Sequence, residues 1–121
     1  TYTSPHLQRF NERIVLGEQE ISNTALEALI DQALDLNAGR ESTFFEITTA
    51  MAFAAFAQNP ADFLLLETGL GGRLDCTNII EKPLITIITA LGLDHQDILG
   101  PKIENIAFEK AGIIKKQIPA V

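Results

Sequence analysis

The sequence predicts an α/β layered domain in which helices flank a mostly parallel sheet. Residues 22–37 and 44–58 have the apolar spacing or the alanine content of helices. Residues 63–66 and 84–91 are compact runs rich in Leu, Ile and Thr, as expected for strands that are covered on both faces. Because helices and apolar strands alternate along the chain, a layered sheet with helices on its faces is expected.

The first predicted helix spans residues 22–37. Thr24 and Glu27 are spaced as a capping box at its start, and Gly39 is placed to end it. Its apolar side chains recur at helical spacing, at Leu26, Leu29, Ile30, Ala33 and Leu34. The segment is therefore interpreted as an amphipathic helix.

The second predicted helix, residues 44–58, is almost wholly apolar. Its alanines favour a helix, and the near absence of a polar face predicts burial on most sides. Asn59 and Pro60 are expected to end this helix.

The two ends of the chain are interpreted from shorter patterns. Residues 1–17 form a polar entry segment that leads into a brief extended piece at residues 14–16. Residues 102–111 are predicted to form a helix closed by Gly112, and residues 118–121 to open another strand. Since the chain opens in mid-loop and ends as a strand begins, we expect its 121 residues to be a fragment of a single domain.

The composition is typical of a soluble globular domain. Apolar residues make up 46% of the chain, and its net charge of −7 opposes binding to a polyanionic nucleic acid. The single cysteine, Cys76, cannot form an internal disulfide and fits a reducing cytoplasm. No apolar stretch reaches the roughly 18 residues that a membrane span requires, so no membrane partner is expected.

Glu67 follows the first apolar strand and precedes a loop that contains Gly69, Gly71 and Gly72. In open α/β sheets, ligands bind outside the carboxyl ends of the strands, so this position is a candidate site. One interpretation is a tight turn in which Glu67 caps a neighbouring helix. The other is a metal-binding carboxylate beside a glycine-rich loop that approaches a ligand.

Asp94, His95 and Asp97 follow the second long apolar run. Neighbouring strand ends lie about 5 Å apart, which would let Glu67 and His95 share a metal ion. Magnesium prefers oxygen ligands, whereas histidine is more typical of zinc or manganese sites, so the residues leave the metal open. Taken alone, His95 is more typical of a hydrogen-bonded core or surface histidine.

Lys110 and the entry segment are the remaining candidates. Lys110 lies in the last turn of its predicted helix, where a lysine ordinarily complements the helix dipole. The entry segment carries Ser4, His6, Arg9 and Arg13, which could face an anionic ligand or simply line a solvated loop.

Five blocks of the sequence, taken in order, resemble consecutive blocks of the folylpolyglutamate synthase/dihydrofolate synthase family. They read TSPHLQRFNERI, STFFEITTA, LLLETGLGGRLDCTNII, ITALGLDHQDILG and FEKAGIIK, and they cover most of the chain. This family is part of the Mur ligase superfamily. The resemblance therefore implies a partial P-loop-like α/β domain, the central ATPase domain of these ligases.

The resemblance implies an ATP-dependent ligase that adds L-glutamate to dihydropteroate, to folate polyglutamates or to both. ATP phosphorylates a carboxylate to an acyl phosphate, which the amino group of glutamate then attacks. ATP and Mg²⁺ are the implied cofactors, and neutralisation of phosphate charge by the metal would be the main catalytic contribution.

The resemblance also assigns roles to single residues. Glu67, His95 and Ser4 match metal-ligand positions, and the implied metal is magnesium. Lys110 matches the lysine that the family carbamylates. Carbamylation turns this cation into an anion that could help hold a second magnesium ion and orient the acyl phosphate, so Lys110 and His95 are the implied catalytic residues.

Three further residues are candidates for substrate binding. Phe44 and Phe45 match a pterin-side position at which an aromatic ring could stack on the substrate. Arg13, in the entry segment, is the candidate partner of an anionic group. Cys76 stands where the family commonly has alanine, which we interpret as a tolerated packing change.

The phosphate-binding loop GTNGKGS and the C-terminal domain of the family do not occur in this sequence. Residues that bind the nucleotide therefore stay unassigned, and the isolated chain is expected to be inactive. Two alternatives are a cell-wall Mur ligase, which the GLGGRLDCTN and TSPHL blocks disfavour, and an inert nucleotide-binding scaffold, which the intact Glu67, His95 and Lys110 disfavour. We expect a cytoplasmic monomer.

Overall fold

The structure is a computed structural model that describes residues 1–121. The chain divides into two compact units, Thr1–Glu67 and Thr68–Val121, and each is described by itself. No helix in either unit has the length and apolar composition needed to cross a membrane.

The first unit packs two helices against a short hairpin. Helix α1 spans Asn23–Asn37 and helix α2 spans Phe44–Gln58, while a 3-10 turn at Phe10–Arg13 leads into strands β1, Val15–Leu16, and β2, Gln19–Glu20. The two strands are antiparallel. The buried core of this unit contains Tyr2, Ile14, Ile21, Leu29, Met51, Ala52 and Ala55.

Helix α1 has the predicted extent, but the capping box predicted at Thr24 and Glu27 is wrong. Ser22 is the N-cap residue, and its hydroxyl oxygen accepts a 3.2 Å hydrogen bond from the backbone N–H of Ala25. Ser22 still has extended backbone angles, whereas Thr24 already lies within the first helical turn and cannot cap it. At the other end, Ala38 adopts a left-handed conformation one residue before the predicted stop at Gly39.

Helix α2 has the predicted bounds and a capping box of its own. The Thr43 hydroxyl accepts from the backbone N–H of Glu46 at 3.2 Å, and the Glu46 carboxylate accepts from the backbone N–H of Thr43 at 2.7 Å. Burial on most sides is not observed. The helix buries one face, which contains Thr48, Thr49, Met51, Ala52 and Ala55, while Phe44 and Ala50 are exposed. An alanine-rich sequence lacks a polar stripe that would identify this face in advance.

The mostly parallel sheet is not found, because the structure contains only the two-stranded antiparallel sheet β1–β2. Parallel pairing occurs at two isolated bridges, Tyr2 with Leu66 and Thr86 with Ala120. Neither predicted apolar run forms a continuous strand, and many of its side chains are exposed, Leu84 by 73%. A strand requires a neighbour along its length, so local composition alone does not establish one.

The second unit contains a short helix α3, Gln96–Leu99, and helix α4, Ile103–Ala111. Helix α4 confirms the predicted helix, with Gly112 as its C-cap, and buries Ile106 completely. In the same unit, Thr86 accepts from and donates to residues 119–121 through its backbone. The extended piece predicted at residues 118–121 thus pairs in parallel with the second apolar run, though only locally.

Candidate functional site

Tyr2 aligns the start of the chain with the segment that ends at Glu67. Its backbone N–H donates to the carbonyl of Leu65 and its carbonyl accepts from the N–H of Glu67, both at 2.9 Å. The side chain of Tyr2 is fully buried, and its hydroxyl hydrogen-bonds with the hydroxyls of Thr48 and Thr49 on α2 at 3.2 and 3.1 Å. The two extended segments are therefore fixed in register.

This register brings two sequence-predicted ligands together. The backbone N–H of Ser4 donates to Oε2 of Glu67 at 2.6 Å. The Glu67 side chain is exposed and makes no other hydrogen bond, so its Oε1 is free to bind a further group. Ser4, which precedes a cis proline, thus contacts this carboxylate through its backbone.

The residues at Glu67 and Ser4 fit a magnesium ion. Carboxylate and hydroxyl oxygens are hard ligands, which magnesium prefers, and it commonly takes one or two carboxylates together with water and substrate phosphates. No group of three or more His, Cys, Asp or Glu side chains in the structure could hold a metal by protein ligands alone.

His95 immediately precedes α3 in the second unit. It has a left-handed backbone conformation, with φ 49°, and its backbone N–H donates to Oδ1 of Asp94 at 2.8 Å. The imidazole is exposed, and its Nε2 lies 3.8 Å from Oδ2 of Asp94. Its side chain is accessible to a ligand, but a metal shared with Glu67 stays a prediction because the two residues belong to different units.

The glycine-rich loop, residues 69–77, is organised by Asp75, a residue that the sequence analysis did not single out. Oδ2 of Asp75 accepts from the backbone N–H groups of Gly69 and Leu70, each at 3.0 Å. Its Oδ1 accepts from the backbone N–H of Thr77 at 2.9 Å and from the Thr77 hydroxyl. Aspartate often bonds nearby backbone groups in turns, which was the available signal.

The glycine-rich loop packs against the end of α4. A Cβ at Gly72 would lie 2.9 Å from Cγ2 of Ile113 and 3.0 Å from the carbonyl oxygen of Glu109. A Cβ at Gly112 would lie 2.2 Å from Cβ of Arg73. Gly112 has ordinary right-handed helical angles, so close packing, not backbone conformation, requires glycine there. These contacts support the interpretation of a tightly packed turn.

Lys110 lies half-buried in the last turn of α4, beside this loop. Its neighbour Glu109 accepts a hydrogen bond of 2.9 Å from Nη2 of Arg73 and two of 3.2 Å from Nε. The Arg73 guanidinium carbon also lies 5.5 Å from the centre of the Phe108 ring. The sequence alone does not indicate this pair, because its members are 36 residues apart.

An aromatic cluster surrounds Arg13 in the first unit. The guanidinium carbon lies 5.5 Å from the ring centres of both Phe10 and Phe44, and Nε donates to Nδ1 of His6 at 2.8 Å. Arg13 is 8% exposed and pairs with no carboxylate. Its cationic head is thus held by two aromatic rings and by Nδ1 of His6, with no carboxylate paired to it.

Phe44 and Phe45 have different environments. Phe44 is 64% exposed and meets Phe10 edge to face, with ring centres 6.1 Å apart. Phe45 is half-buried and stacks on Tyr2, with ring centres 6.0 Å apart. The exposed ring of Phe44 is available to a ligand, whereas Phe45 already packs against the core.

Glu12 orders the loop that joins Ser4 to Arg13. Its carboxylate accepts from the backbone N–H groups of Leu7, Gln8 and Arg9 at 2.7 to 2.9 Å. The hydrogen bonds from Leu7 and Arg9 hold the pKa of Glu12 below its usual value, because they stabilise the charged carboxylate.

Comparison with known proteins identifies similar folate ligases. No protein-family model matches the chain. The chain is 51% identical over 128 aligned residues to dihydrofolate synthase/folylpolyglutamate synthase of Bacillus subtilis, covering 100% of the chain and 30% of that relative.

Solved structures show the same similarity. Escherichia coli FolC in complex with DHPP and ADP is 41% identical with a TM-score of 0.93, covering 98% of the chain and 28% of that protein. A bifunctional folylpolyglutamate synthase/dihydrofolate synthase with Mn, AMPPNP and L-glutamate bound is 41% identical with a TM-score of 0.87, covering 98% of the chain and 29% of that protein. The chain thus spans less than a third of each of these proteins.

Proposed function

We propose that this chain, which belongs to the dihydrofolate synthase/folylpolyglutamate synthase family, carries the metal-side part of the active site of an ATP-dependent ligase. The ligase would join L-glutamate to dihydropteroate, to folate polyglutamates or to both, through an acyl phosphate. The contact of 2.6 Å between Ser4 and Glu67 carries this proposal, because it brings together two residues predicted to bind one metal. The compared proteins are folate ligases, which favours this reaction over that of a cell-wall ligase.

Glu67, Ser4 and His95 would hold Mg²⁺. Support comes from the free Oε1 of Glu67, the backbone contact of Ser4 with that carboxylate and the exposed imidazole of His95. A relative binds Mn together with AMPPNP and L-glutamate, which is consistent with a divalent ion beside the nucleotide phosphates. When bound, the ion would neutralise charge on the transferring phosphoryl group.

Lys110 would act as a carbamate. Its neutral amine would attack the carbon of CO₂, forming an N–C bond, while one C=O electron pair moves to oxygen and the proton passes to solvent. The product is an anionic carbamate on the lysine side chain. Its oxygen atoms can bind a metal ion, which an ammonium group cannot do. The position of Lys110 in a tightly packed helical turn supports this role.

Arg13 and Phe44 would bind the acceptor substrate. The charge of Arg13, which pairs with no carboxylate, suits an anionic group, and the exposed ring of Phe44 suits a pterin, which is planar and aromatic. Phe45 would support this surface through its stack on Tyr2. A cytoplasmic monomer without a nucleic-acid or membrane partner completes the proposal, consistent with the lone Cys76 and the net charge of −7.

The decisive experiment replaces the matching segment of the Bacillus subtilis relative by this chain. The resulting chimera should release ADP only when L-glutamate and either dihydropteroate or tetrahydrofolate are both present. The unmodified relative serves as the control, and thermal unfolding shows whether the chimera is folded. A folded chimera with no acceptor-dependent ADP release would overturn the proposal.

A further inference from the structure

The glycine-rich loop holds the last turn of α4 through both side chain and backbone. The Arg73 guanidinium makes a forked contact with the Glu109 carboxylate, and the backbone N–H of Arg73 donates to the Glu109 carbonyl at 2.8 Å. One residue of the loop therefore binds one residue of the helix at two points. Such a contact restricts rotation as well as translation of the helical turn.

Asn78 closes the same contact from the other side. Its Nδ2 donates to the carbonyl of Arg73 at 3.1 Å and to the carbonyl of Gly112 at 3.2 Å. Gly112 itself lies so close to Arg73 that an added Cβ would overlap the Arg73 side chain. Lys110 thus lies between two residues, Glu109 and Gly112, whose backbones are both bound to the loop.

The Arg73–Glu109 ion pair is too exposed to contribute much to stability. The side chains of Arg73 and Glu109 are 42% and 21% exposed, and solvent screens the attraction between such groups. The fork is geometrically specific, however, and the Arg73 guanidinium also packs over the Phe108 ring. Arg73 therefore contacts Phe108 and Glu109 directly, and Lys110 follows them in the same helical turn.

We propose that Arg73 and Glu109 are positioning residues for Lys110, fixing the helical turn from which a carbamate on Nζ would extend. This inference rests on the proposed carbamylation of Lys110. Neither Arg73 nor Glu109 would touch the substrate. Loss of the fork would let the last turn of α4 shift and would weaken carbamate formation more than folding.

The test uses the chimera with the Bacillus subtilis relative, equilibrated with ¹³C-bicarbonate, Mg²⁺ and ADP. The carbamate is observed by its ¹³C signal, which Lys110→Ala must abolish. Arg73→Lys keeps the charge but loses the fork, and Glu109→Gln keeps the shape but loses the charge. Arg40→Lys, which weakens the exposed contacts of Arg40 with the carbonyl groups of Leu36 and Asn37, is the matched control.

Each of the two variants, Arg73→Lys and Glu109→Gln, should raise the bicarbonate concentration that gives half of the maximal carbamate signal roughly tenfold. Loss of other groups that orient a metal ligand has an effect of this size. The control should leave it unchanged, and melting temperatures should differ little among the variants. If Arg73→Lys and Glu109→Gln both reach half-saturation at the same bicarbonate concentration as the chimera, the positioning role alone is overturned. No Lys110-dependent signal in the chimera would instead overturn the proposed carbamate, and the positioning role with it.

Discussion

The two carboxylate oxygens of Glu67 have different tasks. Oε2 accepts from the Ser4 backbone, which fixes the side chain, and Oε1 remains available. A single residue thus joins the entry segment to the proposed metal. The sequence predicted both residues from motifs, but only the register imposed by Tyr2 shows that they meet.

Glu67→Gln should preserve the bond from Ser4 while removing the charge that would bind magnesium. In the chimera, we expect the Mg²⁺ concentration for half-maximal ADP release to rise at least about tenfold. Glu18→Gln, on the exposed hairpin turn, is the control. An unchanged Mg²⁺ dependence of Glu67→Gln would remove Glu67 from the metal site.

Substitutions at Phe44 and Phe45 should have different effects, the first on substrate binding and the second on stability. Phe44→Ala removes an exposed ring and should raise the KM for dihydropteroate about fivefold, equivalent to about 1 kcal/mol of stacking, with little change in melting temperature. Phe45→Ala removes the ring that stacks on Tyr2 and should cost at least about 2 kcal/mol of unfolding free energy. The reverse pattern, measured by steady-state kinetics and urea unfolding, would contradict the assignment.

Glu12 should make the stability of the chain sensitive to acid. Its folded pKa is depressed because Leu7 and Arg9 donate backbone hydrogen bonds to it, so its contribution is present above its unfolded pKa of about 4.3. That contribution is lost as the pH falls through the lower folded pKa. Glu12→Gln should therefore lower the free energy of unfolding at pH 7, and the difference from the parent should shrink below pH 4.

Urea unfolding at a series of pH values measures this effect. Glu27→Gln provides the control, since the Glu27 side chain is exposed on α1 and its carboxylate makes no hydrogen bond. A difference between Glu12→Gln and the parent that stays constant across this pH range would contradict the role of the carboxylate charge.

At the scale of elements, the helices could be predicted and the sheet could not. Helices α1, α2 and α4 depend on hydrogen bonds within one segment, so periodicity and alanine content suffice to locate them, although the capping residues of α1 were predicted wrongly. The apolar runs at residues 63–66 and 84–91 need partners along their length, and in this chain they find one bridge each. Composition indicated that these runs could form strands, but it did not indicate which segments would pair with them.

The glycine-rich loop shows the same division within the candidate site. Glu67 and Lys110 could be identified from blocks of sequence, because each lies in a recognisable motif. The Arg73–Glu109 fork and the fourfold contacts of Asp75 could not, because they depend on how the loop folds over a distant helix.

Gly112→Ala should disturb this loop, because the new Cβ would meet Arg73 at 2.2 Å. We expect a loss of about 1–3 kcal/mol in the free energy of unfolding, as for other overpacked contacts. Gly92→Ala is the matched control, since a Cβ there meets nothing within 4 Å. Equal losses in the two variants, measured by urea unfolding, would show that the contact between loop and helix is not tight.

At the scale of the whole molecule, the first unit has a buried core, whereas the second unit leaves much of its apolar surface exposed. In the second unit, Leu84, Ile87 and Leu91 are exposed by 73%, 52% and 50%. The chain corresponds to 30% of the length of the Bacillus subtilis relative.

The isolated chain should therefore bind the apolar dye ANS more strongly than the chimera does, because soluble proteins rarely leave large apolar patches open. ANS fluorescence at equal molar concentration measures this difference, and thermal unfolding confirms that both proteins are folded. Equal fluorescence would mean that the apolar runs stay uncovered even within the longer protein.

Tyr2 has a consequence for how variants of this family would be classified. Its backbone sets the spacing between Ser4 and Glu67, and its hydroxyl anchors that spacing to α2. With magnesium bound at Glu67 as proposed, a substitution at Tyr2 would loosen packing and also raise the magnesium concentration that activity requires. A survey that classifies positions by their distance from the ligand would count Tyr2 as a structural residue. The proposed effect of its substitution is nevertheless a change in the magnesium concentration that the enzyme requires.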